Sequence, residues 1–264
     1  MVDLRFSDAE LAARRDQITT FIAEQAAAAG ADGAVLGLSG GIDSTLVAHL
    51  AVEALGEDGL HGLVMPGVVS DDENMSDAER VALDLGIEYD VIEIEPIVDA
   101  FVAAYPESAG DETAVGNARA RTRAVLNYLV SNHENRLVLG TGNRSEALVG
   151  YYTKYGDGAV DCHPIGNLYK QQVRQLARAV GVPDDLVEKT PTAGLWSEQT
   201  DEDELGIPYD TLDPILAVHV DGGVPASATA RLVDADVETI EYVRELYEQS
   251  AHKRAMPPSP DPVE

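Results

Sequence analysis

A single cysteine, Cys162, stands in 264 residues, which excludes an internal disulfide and any all-cysteine zinc site. Next to His163 it makes an unconvincing nucleophile, because neighbouring residues on a strand or turn point apart; a plain buried or half-buried thiol is expected. His61, His133, His163 and His219 are scattered without metal-ligand spacing. No apolar run approaches the length of a membrane span, and the opening Met1-Val2-Asp3-Leu4-Arg5 lacks the basic-then-apolar layout of a signal peptide. A soluble cytoplasmic protein with no membrane partner is therefore expected. No Gly-Lys pair occurs anywhere, so the common P-loop is absent.

Lysine is nearly absent too. Only Lys154, Lys170, Lys189 and Lys253 occur, and 18 basic residues face 47 acidic ones for a net charge of -29. Such a charge argues against a nucleic-acid partner, and it repels any polyanionic ligand unless basic groups are gathered at one place. Acid-rich, lysine-poor surfaces resemble those of proteins from salt-loaded cytoplasm, where repulsion is screened over roughly 3 Å at 1 M salt. A halophilic protein is expected. The length suits one α/β domain with a substantial core, and no linker or internal repeat divides residues 1–264.

What is present is organised around Gly37-Leu38-Ser39-Gly40-Gly41-Ile42-Asp43-Ser44-Thr45. The apolar run Ala34-Val35-Leu36 precedes it and a helically spaced run from Leu46 to Val52 follows, so strand, small-residue turn and helix start are written in order. Two glycines let the backbone approach a ligand, Ser39, Ser44 and Thr45 add hydroxyls, and the helix start offers free N–H groups; the natural occupant is phosphate. Ser-Gly-Gly-x-Asp-Ser resembles the signature of the PP-loop ATP pyrophosphatases, which implies cleavage of ATP between its α and β phosphates.

The rest of the chain alternates strand and helix. Ser7-Asp8-Ala9-Glu10 has capping-box form and opens a helix ending at Ala29-Gly30. Strands are expected at Leu60 to Met65, Glu88 to Ile94 and Arg136 to Gly140. Helices are expected up to Leu85-Gly86, over Ile97 to Ala104, from Gly116 to about Val130, from Lys170 to Val180, at Thr211 to Val218 and at Asp236 to Ser250. Arg119 and Arg123 should share a face with Arg121 turned elsewhere, and three arginines at a helix start would oppose the dipole unless something anionic offsets them. The acidic segments Val69 to Asp77 and Glu198 to Glu204 read as loops, the first a candidate lid. The alternation implies an α/β, doubly wound parallel sheet flanked by helices. The turn Thr141-Gly142-Asn143-Arg144-Ser145-Glu146 then opens on the same carboxyl edge as the glycine loop.

Seven ordered motifs resemble one family, the ammonia-dependent NAD synthetases. They are Ser-Gly-Gly-Ile-Asp-Ser, Gly-Asn-x-x-Ala-Arg-x-Arg, Gly-Thr-x-x-x-x-Glu, Thr-Lys-Tyr-Gly-Asp-Gly, Pro-Thr-x-x-Leu, Asp-Glu-x-Glu-Leu-Gly-Ile-x-Tyr-Asp and His-Lys-Arg. The resemblance implies that the nicotinate carboxylate of deamido-NAD is adenylylated by ATP and then taken by ammonia, leaving AMP and pyrophosphate. It implies that ATP is held by Gly37, Leu38, Ser39, Gly40, Gly41, Ile42, Asp43 and Ser44, with Thr141, Lys170 and Thr192. Mg²⁺ falls to Asp43 and Glu146, and deamido-NAD to Arg121, Lys154, Asp161, His252 and Lys253. Lys170 counts as catalytic, and Asp157 is a candidate to deprotonate ammonium. The length leaves no room for the amidohydrolase domain of glutamine-dependent relatives. A homodimer with deamido-NAD at its interface is implied, in which His252-Lys253 could serve the neighbouring chain, because the late helices carry apolar faces surplus to one sheet. Two alternatives are another PP-loop ligase acting on a nucleobase or tRNA, which one cysteine and the acidic charge oppose, and a nucleotide sensor without turnover, which Asp43, Glu146 and Lys170 oppose.

Overall fold

The computed structural model describes residues 2–67, 72–192 and 200–260, with backbone alone at 72 and 73. Helix α1 (Asp8–Ala29) is followed by β1 (Gly33–Leu38), α2 (Ile42–Leu55), β2 (Leu60–Val64), α3 (Asp72–Leu85), β3 (Glu88–Val91), α4 (Glu95–Ala104), α5 (Glu112–Glu134) and β4 (Arg136–Leu139). Then come α6 (Arg144–Val149), α7 (Lys170–Ala179), α8 (Asp184–Val187), α9 (Asp201–Leu205), α10 (Tyr209–Ile215), α11 (Ala226–Thr229) and α12 (Val237–Gln249). No helix among the described residues is long and apolar enough to cross a membrane.

The four strands pair in parallel in the order β3-β2-β1-β4. Alternation along β1 sends Ala34, Leu36 and Leu38 to one face, where they pack with α1, α2, α3 and α7. Val35 joins Leu63, Met65, Ile94 and Leu126 on the other, under α4 and α5. The central strand β1, covered on both faces, is a continuous apolar run, whereas the edge strand β3 is polar and largely exposed. The chain winds outward from β1 to β3 and then crosses back to place β4 on the far side of β1. The carboxyl ends of β1 and β4 thus flank a switch point, where a parallel sheet opens a crevice.

The expected capping box is present at α1: Ser7 N donates to Glu10 Oε2 at 2.8 Å and Ser7 Oγ accepts from Glu10 N at 3.4 Å. Cys162 is buried, bridged to Leu139 beside β4. Several boundaries differ from the sequence reading. Helix α5 starts after Asp111, whose Oδ1 accepts from Ala114 N at 2.9 Å, and runs to Asn135. Arg119, Arg121 and Arg123 therefore stand well inside the helix, and the expected conflict with the dipole does not arise. Strand β3 stops at Val91, α4 begins earlier because Pro96 suits a helix's first turn, and α3 begins at Asp72 instead of following a loop to Asp77. Val68, residues 69–71 of the acidic lid segment, and 193–199 of the later loop with Leu195 and Trp196 lie outside the described residues.

The late helices are not surplus. Tyr209, Leu212 and Ile215 of α10 and Ile240 and Val243 of α12 build a second apolar cluster with Leu148, Val149 and Tyr169. Their faces cover one another and α6, which anchors the C-terminal segment to its own chain's site.

Candidate functional site

The loop after β1 turns back on Gly40, whose φ is +73°; a Cβ there would lie 2.3 Å from the Asn74 carbonyl oxygen, so glycine alone fits. Gly41 caps α2 with no side-chain hydrogen bond, which leaves the first N–H groups of that helix for a ligand. Ser39 and Ser44 hydroxyls lie 3.0 Å apart beside them. Thr45 differs from expectation: it is buried and donates to the Gly41 carbonyl at 2.9 Å, so its hydroxyl tightens the helix start and is not offered to the cavity.

Across the crevice, the turn after β4 ends in Asn143, which caps α6. Its Oδ1 accepts from Glu146 N at 3.0 Å, and Glu146 Oε2 accepts in return from Asn143 N at 3.2 Å. Asn143 is fully buried, and its Nδ2 reaches over to Asp43 Oδ1 at 3.0 Å, joining the two loops. Lys170, the first residue of α7, closes the centre. Its Nζ lies 2.6 Å from Asp43 Oδ2 and 3.2 Å from Glu146 Oε1, over the Tyr209 ring at 5.2 Å.

Lys170 is 1% exposed. Burial alone would discharge its ammonium, yet Asp43, then Glu146 and Asp201, outweigh that and raise its pKa. Desolvation lifts Glu146 to about 7 against the pull of Lys170, with Asp43 adding to the rise. One cation thus stands among more carboxylates than it can neutralise, and a ligand bringing positive charge would displace a proton. Two carboxylates within reach of one Nζ suit a hard divalent cation that completes its shell with phosphate oxygens and water. Among the described residues no cluster of three or more potential ligands forms a full protein cage.

These groups line a cavity of about 460 Å³. Of the expected residues, Gly37, Leu38, Ser39, Gly41, Ile42, Asp43, Ser44, Thr141, Glu146, Asp157, Lys170, Thr192 and Lys253 are on its wall. Gly40 supports the loop from behind. Asp157 opens on the cavity and holds Thr153 N through Oδ1 at 2.9 Å; the protein packed round it raises its pKa despite that backbone bond.

Arg121, Lys154 and His252 lie outside the cavity but form a chain along its rim. Arg121 Nη2 donates to the Lys154 carbonyl at 3.4 Å, and Lys154 Nζ donates to that of His252. Lys253 Nζ donates to the Gly150 and Tyr152 carbonyls at 2.6 and 2.7 Å. Gly150 has φ +70° and would clash with Ser250 at 2.2 Å if it carried a Cβ, so the C-terminal segment is seated on its own chain. Within the single chain, Lys253 is thus held beside its own cavity. Asp161 joins neither group: its oxygens accept from Val138 N at 2.8 Å and Tyr128 Oη at 3.1 Å, pinning the chain to β4.

Other residues of the site escaped the sequence reading. Asn143 stands three places before Glu146, a capping-box spacing that could have flagged it. Asp213 is fully buried and accepts from Ser145 Oγ at 2.5 Å and Gln171 N at 2.9 Å, tying the start of α6 to that of α7; burial raises it to about 6. Asp201 accepts from Tyr209 Oη at 2.9 Å, and its other oxygen has no hydrogen-bond partner. Arg123, pushed down to about 10 by burial with Arg119 nearby, lines the cavity and donates to the Met65 carbonyl at 3.0 Å. Asp201 and Arg123 stand in two of the seven motifs without a role assigned there, and no local signal marks Asp213.

The NAD synthase family pattern matches residues 15–257. An NH(3)-dependent NAD(+) synthetase of Halobacterium salinarum is 70% identical over 259 residues, covering 98% of this chain and 97% of the relative. The chain belongs to the NAD synthase family. Its acidic, lysine-poor composition agrees with a relative from that source. Among solved structures, the NMN synthetase of Francisella tularensis superposes with a TM-score of 0.83 at 35% identity, covering 97% of this chain and all (100%) of that one. The NH3-dependent NAD synthetase of Campylobacter jejuni, in complex with the nitrate ion, gives 0.81 at 33%, covering 95% and 99%. The doubly wound parallel sheet of the synthase family is thus the fold of this chain, and the glycine loop after β1 and the turn after β4 occupy its switch point.

Proposed function

We propose that this member of the family amidates the nicotinate carboxylate of deamido-NAD with free ammonia at the expense of ATP. A carboxylate is a poor acylating agent, so its oxygen first attacks the α-phosphorus and pyrophosphate leaves. Ammonia then attacks the acyl carbon, AMP departs with the activating oxygen, and the extra proton is lost. Such transfers ask the protein for positioning and charge neutralisation. The open N–H groups of the first turn of α2 and the Ser39 and Ser44 hydroxyls cradle the leaving pyrophosphate, with Thr141 and Thr192 as further ATP contacts. Lys170 neutralises charge that develops on the phosphates. Mg²⁺, held by Asp43 and Glu146, would screen the phosphate oxygens from one another.

The convergence of Asp43, Glu146 and Lys170 over an uncapped glycine loop carries this reading. Supplied with ATP, Mg²⁺, deamido-NAD and ammonium in concentrated KCl, the protein should release NAD, AMP and pyrophosphate in equal amounts; glutamine in place of ammonium should give none. NAD formed equally well from glutamine would refute the ammonia assignment.

In this reading Asp157, which lines the cavity and whose pKa is raised by the protein around it, takes a proton from bound ammonium. A carboxylate whose pKa is raised is a stronger base than an ordinary one. We expect Asp157→Asn to lose about 10²-fold in rate near neutrality, within the range of general base catalysis, and to recover as the pH approaches the pKa of ammonium. An equal loss at every pH would remove Asp157 from the proton's path.

We further propose a cytoplasmic homodimer. Arg121, Val125 and Leu129 recur every fourth residue on α5, and the two apolar ones are 67% and 63% exposed. The expected dinucleotide residue Arg121 thus heads an apolar stripe that a second copy would cover. Light scattering at working salt should give twice the chain mass, and a monomer would contradict it.

A further inference from the structure

Three of the four lysines fall on positions already assigned to ATP or deamido-NAD. The fourth, Lys189, follows α8 and lines the same cavity as the glycine loop. In a chain that carries so little lysine, a cation kept beside an anion site calls for a physical reason. Among the described residues the other lining cations are Arg123, Lys170 and Lys253. Arg123 donates to Met65, Lys170 is locked between two carboxylates, and Lys253 is tied to two carbonyls.

Lys189 is held differently. Its Nζ donates to Asp77 Oδ2 on α3, and Asp77 Oδ1 also receives Arg80 Nη2 at 3.1 Å. Arg80 pairs in turn with Asp185 at 2.7 Å. Asp77 therefore keeps a cationic partner if Lys189 turns away. The pair also stands against the glycine loop: the Asp77 Cβ is 3.1 Å from the point that a Cβ on Gly40 would occupy. The Lys189 side chain is 23% exposed, so its long stem has room to swing.

We propose that Lys189 is a further pyrophosphate-binding residue of the ATP site, parked on Asp77 until the β and γ phosphates arrive and then exchanged onto them. The exchange swaps one charge-assisted hydrogen bond for another, and Arg80 holds the carboxylate left behind. It adds a mobile cation where the net charge of the protein otherwise repels the nucleotide. It rests on the reading that the glycine loop holds the pyrophosphate end of ATP.

A double-mutant cycle tests it, with magnesium pyrophosphate as the probe and calorimetry in concentrated KCl as the readout. Lys189→Met should weaken binding at least tenfold, whereas Lys189→Arg, which keeps the charge, should stay within about threefold, since a charged hydrogen bond is worth roughly that difference. Asp77→Asn frees the lysine and removes a nearby negative charge, so it should tighten binding. The deciding variant is Lys189→Met in the Asp77→Asn background, where the tenfold weakening should persist because the lysine's partner in the complex is phosphate. If the weakening vanishes there, or never occurs, Lys189 acts only as a latch for Asp77 and the proposal is overturned. Failure of the unmodified protein to bind magnesium pyrophosphate would instead contradict the loop reading itself.

Discussion

Lys170→Met should lower the rate of pyrophosphate release by about 10²–10³-fold, the usual loss when one preorganised charge is taken from a transition state. Among the described residues the ammonium is the one side-chain cation in contact with both Asp43 and Glu146, and its removal takes away a charge set to neutralise the phosphates. Lys170→Arg should not restore the rate. The site buries Lys170 to 1% exposure over the Tyr209 ring, and a planar, delocalised guanidinium does not reproduce the compact point charge of an ammonium there. The folded state should tolerate the Met variant, because Glu146 already lies near neutrality and can take up a proton. A fall in rate of less than tenfold, at saturating ATP and Mg²⁺, would show that Lys170 only organises the apoprotein.

Moving the protein from about 2 M KCl into dilute buffer should lower its melting temperature by about 10 °C or more. A net charge of -29 is screened over roughly 3 Å at 1 M salt but over about 10 Å at 0.1 M. Repulsion among the surface carboxylates then acts across many neighbours at once. For a chain of this size each kcal/mol lost lowers the midpoint by about 2–4 °C, so a cumulative loss of only a few kcal/mol gives the expected shift. The paired surface charges, such as Arg80 with Asp185, are too few to reverse it, and each contributes at most about 1 kcal/mol. An unchanged melting curve in the two buffers would contradict salt adaptation.

Local signals carried most of the fold into the sequence. The capping box at Ser7, the apolar run of β1 and the glycine loop are written in neighbouring residues, and each forms as read. Where a boundary was misread, a competing signal explains it. Gly116 reads as the opening of a helix but lies buried inside α5, whose true start is the Asp111 cap. The acidic residues before Asp77 read as loop, whereas a helix's first turns favour acids. What the sequence could not disclose is convergence across the chain. Asn143 meets Asp43 from 100 residues away, and Asp213 joins the starts of α6 and α7 from α10. Periodicity reports which face a residue occupies, not which distant loop that face will meet. The same limit misled the reading of the late helices, whose apolar faces pack on each other and on α6.

The most direct test of the proposed chemistry follows an oxygen atom. With ¹⁸O in the nicotinate carboxylate of deamido-NAD, and with ATP, Mg²⁺ and ammonium supplied, one labelled oxygen should leave with AMP and the other remain in the NAD amide. That result requires the carboxylate to attack the α-phosphorus above the glycine loop. Unlabelled AMP, or ADP and phosphate in place of AMP and pyrophosphate, would contradict it.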